Sequence, residues 1–304
     1  MQQFYRFSLL LAVATLATAP TAGAQSLVSG FMSGKGNGSV VVSGTTEKYQ
    51  KVFIPARKID TVPLFRRVQI NSLNLFGTYG ITDKIEVVVS LPYIHSEGQA
   101  DSTVIEDYRA RKPGKDYTNT RSGLQDASVY LKFKTYSLEA GENIVDLLGA
   151  IGISTPASNY ENKTGEEYII AIGNRATKLT ALGIAQVKTP SGVFFTGQAG
   201  YSLRSGLVPN AFVAETKLGY AGRKLYADAY VAFQESSRSG TDIVQGGFTD
   251  FYFPATRVNY TRLGMSLYRP VAKGLGIVAG ASVYVAGRNL GQSKAFSGGL
   301  SYNF

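Results

Sequence analysis

The 304-residue chain contains no cysteine, no tryptophan, three methionines and a single histidine, His95. Without cysteine, neither a disulfide nor a thiolate metal site can hold the fold. With one histidine, a metal site would have to be built from carboxylates, which select hard cations such as calcium. Long apolar runs are also missing: beyond residue 24 no stretch is long enough to cross a bilayer as a helix. Acidic and basic residues together make up only 17% of the chain, and the balance is basic, net +10. What is abundant is β-forming: tyrosine (19) and phenylalanine (16) supply all the aromatic content, alongside valine, threonine, serine and glycine.

The first 24 residues have a composition of their own. MQQFYRF carries one positive charge, Arg6, and leads into the apolar SLLLAVATLATA. Ala22-Gly23-Ala24 then supplies a small-x-small cleavage site. This is the layout of a bacterial secretory signal, and its apolar core is too short to span a membrane. Residues 1–24 are therefore expected to be removed, so that the mature chain starts near Gln25. Because Arg6 is the only charged residue among the first 24, the net charge falls from +10 to +9. An exported chain of this kind does not meet nucleic acid, so lipopolysaccharide phosphates and anionic solutes are the expected partners of the basic balance.

From residue 37 onward the chain divides into stretches of about ten residues with period-two alternation, separated by turn residues. Ile85, Val87, Val89, Leu91 and Tyr93 share one face; Val129, Leu131 and Phe133 share another against Ser128, Tyr130, Lys132 and Lys134. The same pattern runs through 193–204, 225–234 and 275–285, with further stretches at 38–50, 68–79, 144–155, 178–188, 211–220 and 257–268. The last stretch carries Phe296, Leu300, Tyr302 and Phe304 on one parity, up to the final residue. Twelve strands result.

The connectors alternate in length. Long ones near 51–67, 95–121, 156–177 and 237–256 fall on one side, and tight turns such as Gly80-Ile-Thr-Asp83, Thr189-Pro-Ser-Gly192 and Ala221-Gly-Arg-Lys224 fall on the other. An even strand number with that asymmetry is the pattern of an outer-membrane barrel. The physical ground is that lipid cannot satisfy a free backbone N–H or C=O, so a membrane sheet must close on itself. A soluble sandwich would alternate too, but its loops would not sort by side. The expected fold class is all-β, a transmembrane antiparallel β-barrel of about 12 strands, over residues 38–304. Residues 25–37 are expected to be either a flexible entry or a plug folded into the lumen. Both termini are expected in the periplasm of a Gram-negative bacterium. Tyr79, Tyr136, Tyr220, Tyr268 and Tyr302, at turn-side strand ends, are expected to form an interfacial girdle, although Tyr136 and Tyr268 fall one position off the apolar parity.

Two segments resemble a known family. Tyr79-GITDKIEVVVSLPYI-94 and Ser122-GLQDASVYLKFK-134 resemble a tight turn with its following strand, and a Gly-Leu-Gly-Asp-bearing strand, in the outer-membrane barrels named for the meta-cleavage pathway of phenol degradation. Gln125 stands where that family keeps a second glycine. The resemblance implies passage of aromatic or other small apolar compounds through the outer membrane. It also implies that the terminal aromatic strand, with Tyr302 and Phe304, is what the barrel assembly machinery reads.

Enzyme chemistry has little to work with. The chain has no G-x-S-x-G elbow, and a serine nucleophile needs its base across space, not as a sequence neighbour in His95-Ser96-Glu97. The loop carboxylates Asp101, Glu106 and Asp107, or Glu161, Glu166 and Glu167, read as polar surface before calcium ligands. Gly34-Lys-Gly-Asn-Gly38 lacks the Gly-Lys-Ser/Thr ending of a phosphate loop, and no helical pattern follows it. No cofactor is implied. The charged residues on the non-apolar parity are Glu86, Asp126, Lys132, Lys134, Arg204, Glu215, Lys217, Asp228 and Arg262. Facing lipid near the midplane, each basic one would cost about 2–4 kcal/mol, so all nine are candidates for the lumen. There they would either line a wet path for a small solute or pair across the lumen and fill it. A different reading is a surface-interaction barrel whose basic loop residues Arg109, Arg111, Lys112, Lys115 and Arg121 bind partners or lipopolysaccharide.

Overall fold

The computed structural model describes residues 28–54, 57–59, 65–100, 118–162, 172–242 and 253–304. Twelve antiparallel strands form one sheet: β1 (Gly38–Tyr49), β2 (Phe65–Thr82), β3 (Ile85–Ala100), β4 (Thr118–Leu124 continued by Asp126–Ala140), β5 (Asn143–Pro156) and β6 (Lys178–Lys188). They are followed by β7 (Val193–Arg204), β8 (Ala211–Ala221), β9 (Tyr226–Ser236), β10 (Asn259–Pro270), β11 (Leu275–Arg288) and β12 (Lys294–Asn303). Each strand pairs with its neighbour in sequence, and β12 pairs with β1 from Ser39↔Asn303 to Lys48↔Lys294. That last pairing closes the barrel, so no strand edge is left to face lipid. Closure is continued past the register by reciprocal bonds between Gly38 and Phe304, N–H to O at 3.0 and 3.1 Å.

The two faces sort as the alternation requires. Leu73, Leu75, Val129, Leu131, Phe195 and Leu300 lie among the exposed apolar residues, whereas Ser39, Ser43, Thr196, Gln198, Gln234 and Ser301 are buried. A soluble protein would not leave so many large apolar side chains in water; here they form the outer band. Turn-side glycines Gly141, Gly192 and Gly274 take positive φ, which lets the tight connections reverse.

Three features depart from the simple alternation. Tyr136 lies beyond a register shift between Lys134 and Tyr136, and that bulge returns it to the outer face, 56% exposed. Tyr268 sees no such shift, stays on the inner face at 7%, and accepts a hydrogen bond from Asn303 Nδ2 at 2.9 Å. The expected girdle therefore comprises Tyr79, Tyr136, Tyr220 and Tyr302 and loses Tyr268. Thirdly, the connector expected at 95–121 is shorter: β3 runs on to Ala100, with Tyr93–Gln99 pairing Leu124–Thr118. Sixteen residues exceed the 9–11 a membrane strand requires, so this hairpin projects beyond the barrel on the long-loop side. Gln125 sits in the break between the two parts of β4, where its N–H bonds Pro92 O and its side-chain amide bonds Ile172 O. The long side chain of Gln125 thus ties the projecting hairpin to the next loop.

Candidate functional site in the barrel lumen

Residues 28–37 do not extend away from the barrel; they turn back into it. The reversal is made at Gly34 and Gly36, with φ of 78° and 76°. The reversed chain is held by Lys35 N–H on Asp83 Oδ1 (2.9 Å) and Gly36 N–H on Gly80 O (2.8 Å). This is the structural use of Gly34-Lys-Gly-Asn-Gly38. From there Ser33 to Val28 enters the lumen. Val28 packs among Val88, Tyr130, Leu148, Ala150, Leu182, Ile184 and Val213, with Met32 against the same cluster. Phe31 turns to the opposite wall, meeting Phe194 edge-on at 5.0 Å between ring centroids and Tyr226 at 6.2 Å. Gly30 lies flush on Gln186: a Cβ there would fall 1.8 Å from Gln186 Oε1.

The segment's backbone polar groups need partners in this dry setting, and an ion pair supplies them. Lys132 and Glu86, both almost fully buried, meet at 2.6 Å. Lys132 Nζ also donates to Ser29 O (3.0 Å) and Phe31 O, and Ser33 N–H donates to Glu86 Oε2 (2.6 Å). One charge pair from the wall therefore caps both ends of a short extended segment. Removing either partner would strand the other charge in a low-dielectric site.

Nearby charges are also compensated. Asp146, buried at 1%, receives Lys188 at 2.6 Å, Lys134 at 3.3 Å and Ser137 Oγ at 2.6 Å. Asp126 receives Lys178 at 2.7 Å and the Tyr160 hydroxyl at 2.6 Å. Glu215 accepts from Gln198 Nε2 at 2.8 Å and stands 3.4 Å from Lys217, which lies over the Tyr230 ring. Asp228 accepts from the Tyr226 hydroxyl at 2.6 Å. The two arginines are treated differently. Arg204 donates to Gln234 Oε1 at 2.9 Å, and Arg262 donates to Ser282 Oγ with its guanidinium 5.0 Å from the Tyr284 ring centroid.

Of the nine residues singled out in the sequence, Glu86, Asp126, Lys132, Glu215, Lys217, Asp228 and Arg262 are buried, and Lys134 and Arg204 are half-buried. Glu86 and Lys132 come together, as do Glu215 and Lys217; Lys134 and Asp126 find partners that the sequence reading did not name. Asp146 was missed because its strand, NIVDLLGAIGISTP, is apolar on both parities. Lys188 and Lys178 sit at strand ends, where parity is a weak guide. The apolar lumen residues Leu182 and Ile184 are hidden for a related reason. They share the inward parity with Lys178, Thr180, Gln186 and Lys188, while the smaller Ala181, Gly183 and Ala185 face lipid between Leu179 and Val187. The bulkiest apolar side chains at the strand's centre therefore point into the lumen.

At the long-loop end, Arg288 forms an ion pair with Asp242, and Asn289 Nδ2 donates to Asp242 Oδ1 and Arg257 O, both at 2.8 Å. The hydrogen bond from Arg288 holds the Asp242 carboxyl below its ordinary range, against the opposing effect of burial. Three short strands, Val52–Ile54, Arg57–Ile59 and Leu290–Gly291, form a small separate sheet at that end. Ser96 is buried and lies on the opposite face of β3 from His95 and Glu97, so the three do not assemble. Glu161 pairs with Arg121 at 3.4 Å. Asp101, Glu106, Asp107, Glu166 and Glu167, and the basic Arg109, Arg111, Lys112 and Lys115, lie outside the described residues.

No protein-family model matches the chain, and no curated protein does. Solved structures match its shape. The COG4313 outer membrane channel from Pseudomonas putida F1 superposes with a TM-score of 0.63 at 11% identity, over 89% of this chain and 96% of that one. The translocator domain of the autotransporter NalP from Neisseria meningitidis gives 0.44 at 12% identity, covering 89% of each chain. A mutant of the monoaromatic hydrocarbon channel TodX gives 0.37 at 8% identity, over 88% of this chain and 90% of that one. The first of these, at that identity, carries the fold: a closed twelve-stranded barrel of the outer-membrane type.

Proposed function

We propose that this chain is an integral outer-membrane channel for passive uptake of a small aromatic or hydrophobic solute, plugged at rest by its own N-terminal segment. It has no catalytic role in this reading. The observation that carries it is the seating of Val28–Ser33 in the lumen on the Glu86–Lys132 pair. A barrel that served only as a structural wall would need no separate segment bridged to it by an ion pair. The apolar half of the lumen then has two occupants of similar chemistry, Val28 with Phe31 at rest and an apolar solute during passage. Diffusion down the gradient is the only driving force required.

The orientation follows from barrel physics: short turns and both chain ends on the periplasmic side, long loops and the projecting hairpin outside. The first 24 residues act as the export signal, and Tyr302 with Phe304 as the assembly signal. The resemblance of residues 79–94 and 122–134 to the phenol-pathway barrels supports the aromatic solute class.

The absence of native cysteine makes the test clean. Gly30→Cys with Gln186→Cys places two thiols where the segment touches the wall. Purified protein in planar bilayers should conduct poorly while that bond is oxidised, and several-fold better after reduction with the segment displaced by Val28→Asp. Equal conductance in all states would remove the plug from this reading, and absence of any flux in liposomes would remove the channel.

A further inference from the structure

We infer that the loop-side half of the lumen holds a binding site for a carboxylate attached to an aromatic or apolar body, with Arg262 as the group that receives the charge. This inference deepens the channel reading and rests on it for the solute's route, but the site itself is argued independently.

Arg262 is 3% exposed and carries no carboxylate partner among the described residues. One nitrogen, Nη2, donates to Ser282 Oγ; the other two, Nε and Nη1, are buried and donate to nothing. A buried guanidinium with unused N–H donors is costly, and an anion relieves that cost directly. The nearest acids are committed or distant. Glu215 lies on the same cross-strand row, through Ala232, which puts two strand spacings, about 10 Å, between the two backbones. It is already matched with Lys217 and Gln198. Asp228 faces Ser266, two inward positions along β10 from Arg262. Three strands away, on β7, the second arginine, Arg204, also has no carboxylate partner among the described residues, and its Nε is likewise buried without an acceptor.

The surroundings describe the rest of the ligand. A recess of about 10 Å³ lies in the wall beside Arg262, lined from the lumen by Thr45, Tyr230, Ser266, Gly280 and Ser282 and from the outer face by Met265 and Phe296. That space holds about one water-sized group, which suits a carboxylate oxygen and excludes the body of a solute. The body is left in the lumen against tyrosines: Tyr284 packs edge-on to Tyr260 at 5.3 Å, and Tyr260 lies within electrostatic reach of both arginines. Guanidinium, serine hydroxyls and tyrosine faces together recognise an aromatic monocarboxylate better than either a hydrocarbon or a bare inorganic anion. A hydrocarbon would leave the donors unpaired, and a bare anion would leave the rings without a partner.

The probe is benzoate, titrated calorimetrically into the full-length protein in detergent, with the neutral isostere benzamide alongside. Benzoate should bind, and benzamide should bind at least tenfold more weakly, as expected for loss of a charged hydrogen bond worth about 1.5–3 kcal/mol. Arg262→Gln should lose the same factor or more, Arg204→Gln less, with heat-modifiable gel migration reporting that each variant is folded. No benzoate binding, equal affinity for benzamide, or unchanged binding in Arg262→Gln would each overturn the site. The comparison of the two ligands on the unmodified protein decides the matter even if the variant does not fold. Benzoate flux into liposomes separates the two readings. Binding without flux sinks the channel and leaves the site, whereas flux that is indifferent to Arg262 sinks the site and leaves the channel.

Discussion

The turn-side and loop-side halves of the lumen are built from the same strands but solve the problem of buried charge in opposite ways. On the turn side two buried acids have counter-charges, Glu86 with Lys132 and Asp146 with Lys134 and Lys188, and Asp228 is held by the Tyr226 hydroxyl; on the loop side Asp126 is matched by Lys178. The turn-side region is filled by Val28–Ser33. On the loop side Arg204 and Arg262 keep unused donors next to tyrosine rings. A paired and filled region resists change; a region with unspent hydrogen-bonding capacity is ready to take a ligand. The lesson is that polarity alone does not mark a binding region inside a barrel. The state of compensation does.

The largest effect that would break this contrast comes from the buried ion pair. Lys132→Met should destabilise the protein by about 3–5 kcal/mol, because Glu86 is left charged and alone, and should release the segment. Adding Glu86→Gln should restore most of the stability without restoring the seat for Ser29 and Phe31. Urea unfolding in lipid vesicles reads the first quantity, and single-channel conductance the second. A double variant as unstable as the single one would mean that the pair is not what holds this half together.

A smaller effect is expected from Gly30→Leu, which thrusts a side chain into Gln186 where even a Cβ does not fit. Conductance should rise several-fold with little change in unfolding midpoint, since the strands do not depend on the segment for their register. A drop in conductance would indicate that the segment remains seated and simply fills more space. On the loop side, Arg262→Glu should shift the reversal potential in a salt gradient toward cation preference, whereas Asp146→Asn, in the compensated half, should shift it much less. Equal shifts from both would erase the distinction between the halves.

The smallest effect concerns the loop anchor at Asp242. Its carboxyl is held below the ordinary value by Arg288, so its contribution is present above the unfolded aspartate range, near pH 4, and is lost as pH falls through the lower folded value. Hydrogen exchange at Thr241 and Arg257, whose amides bond Ala255 O and Thr241 O, should accelerate only below about pH 4, once corrected for intrinsic rates. In Asp242→Asn the acceleration should already be present at neutral pH. A midpoint above pH 5 in the unmodified protein would contradict the depressed value.

Much of the wall was legible from alternation. The twelve strands, their order, the lipid-facing valines, leucines and phenylalanines, and the closure carried by 294–304 all follow from period two plus the rule that lipid tolerates no open edge. Legibility failed where that signal was ambiguous or interrupted. In 178–188 the otherwise polar inward parity carries Leu182 and Ile184, which meet Val28, and in 143–156 both parities are apolar. At Tyr136 a bulge reset the parity, and at Tyr268 the absence of one kept the ring inside. The glycines at 34, 36 and 38 were visible as a flexible or plugging entry, but their role in reversing the chain into the lumen was not.

By itself the sequence determined that the chain must close as a barrel and which parity meets lipid along most strands, because those constraints act locally, residue against neighbour. Which lumen charges neutralise one another was settled only in three dimensions. Asp146 and Lys188 are 42 positions apart in the chain, and Lys132 meets Ser29 from 103 residues away. Such partners are chosen by the register of adjacent strands and by the path of a segment that no local pattern specifies. Tertiary structure alone decided that Glu86 and Lys132 would spend their charge on the chain's own start while Arg262 would not.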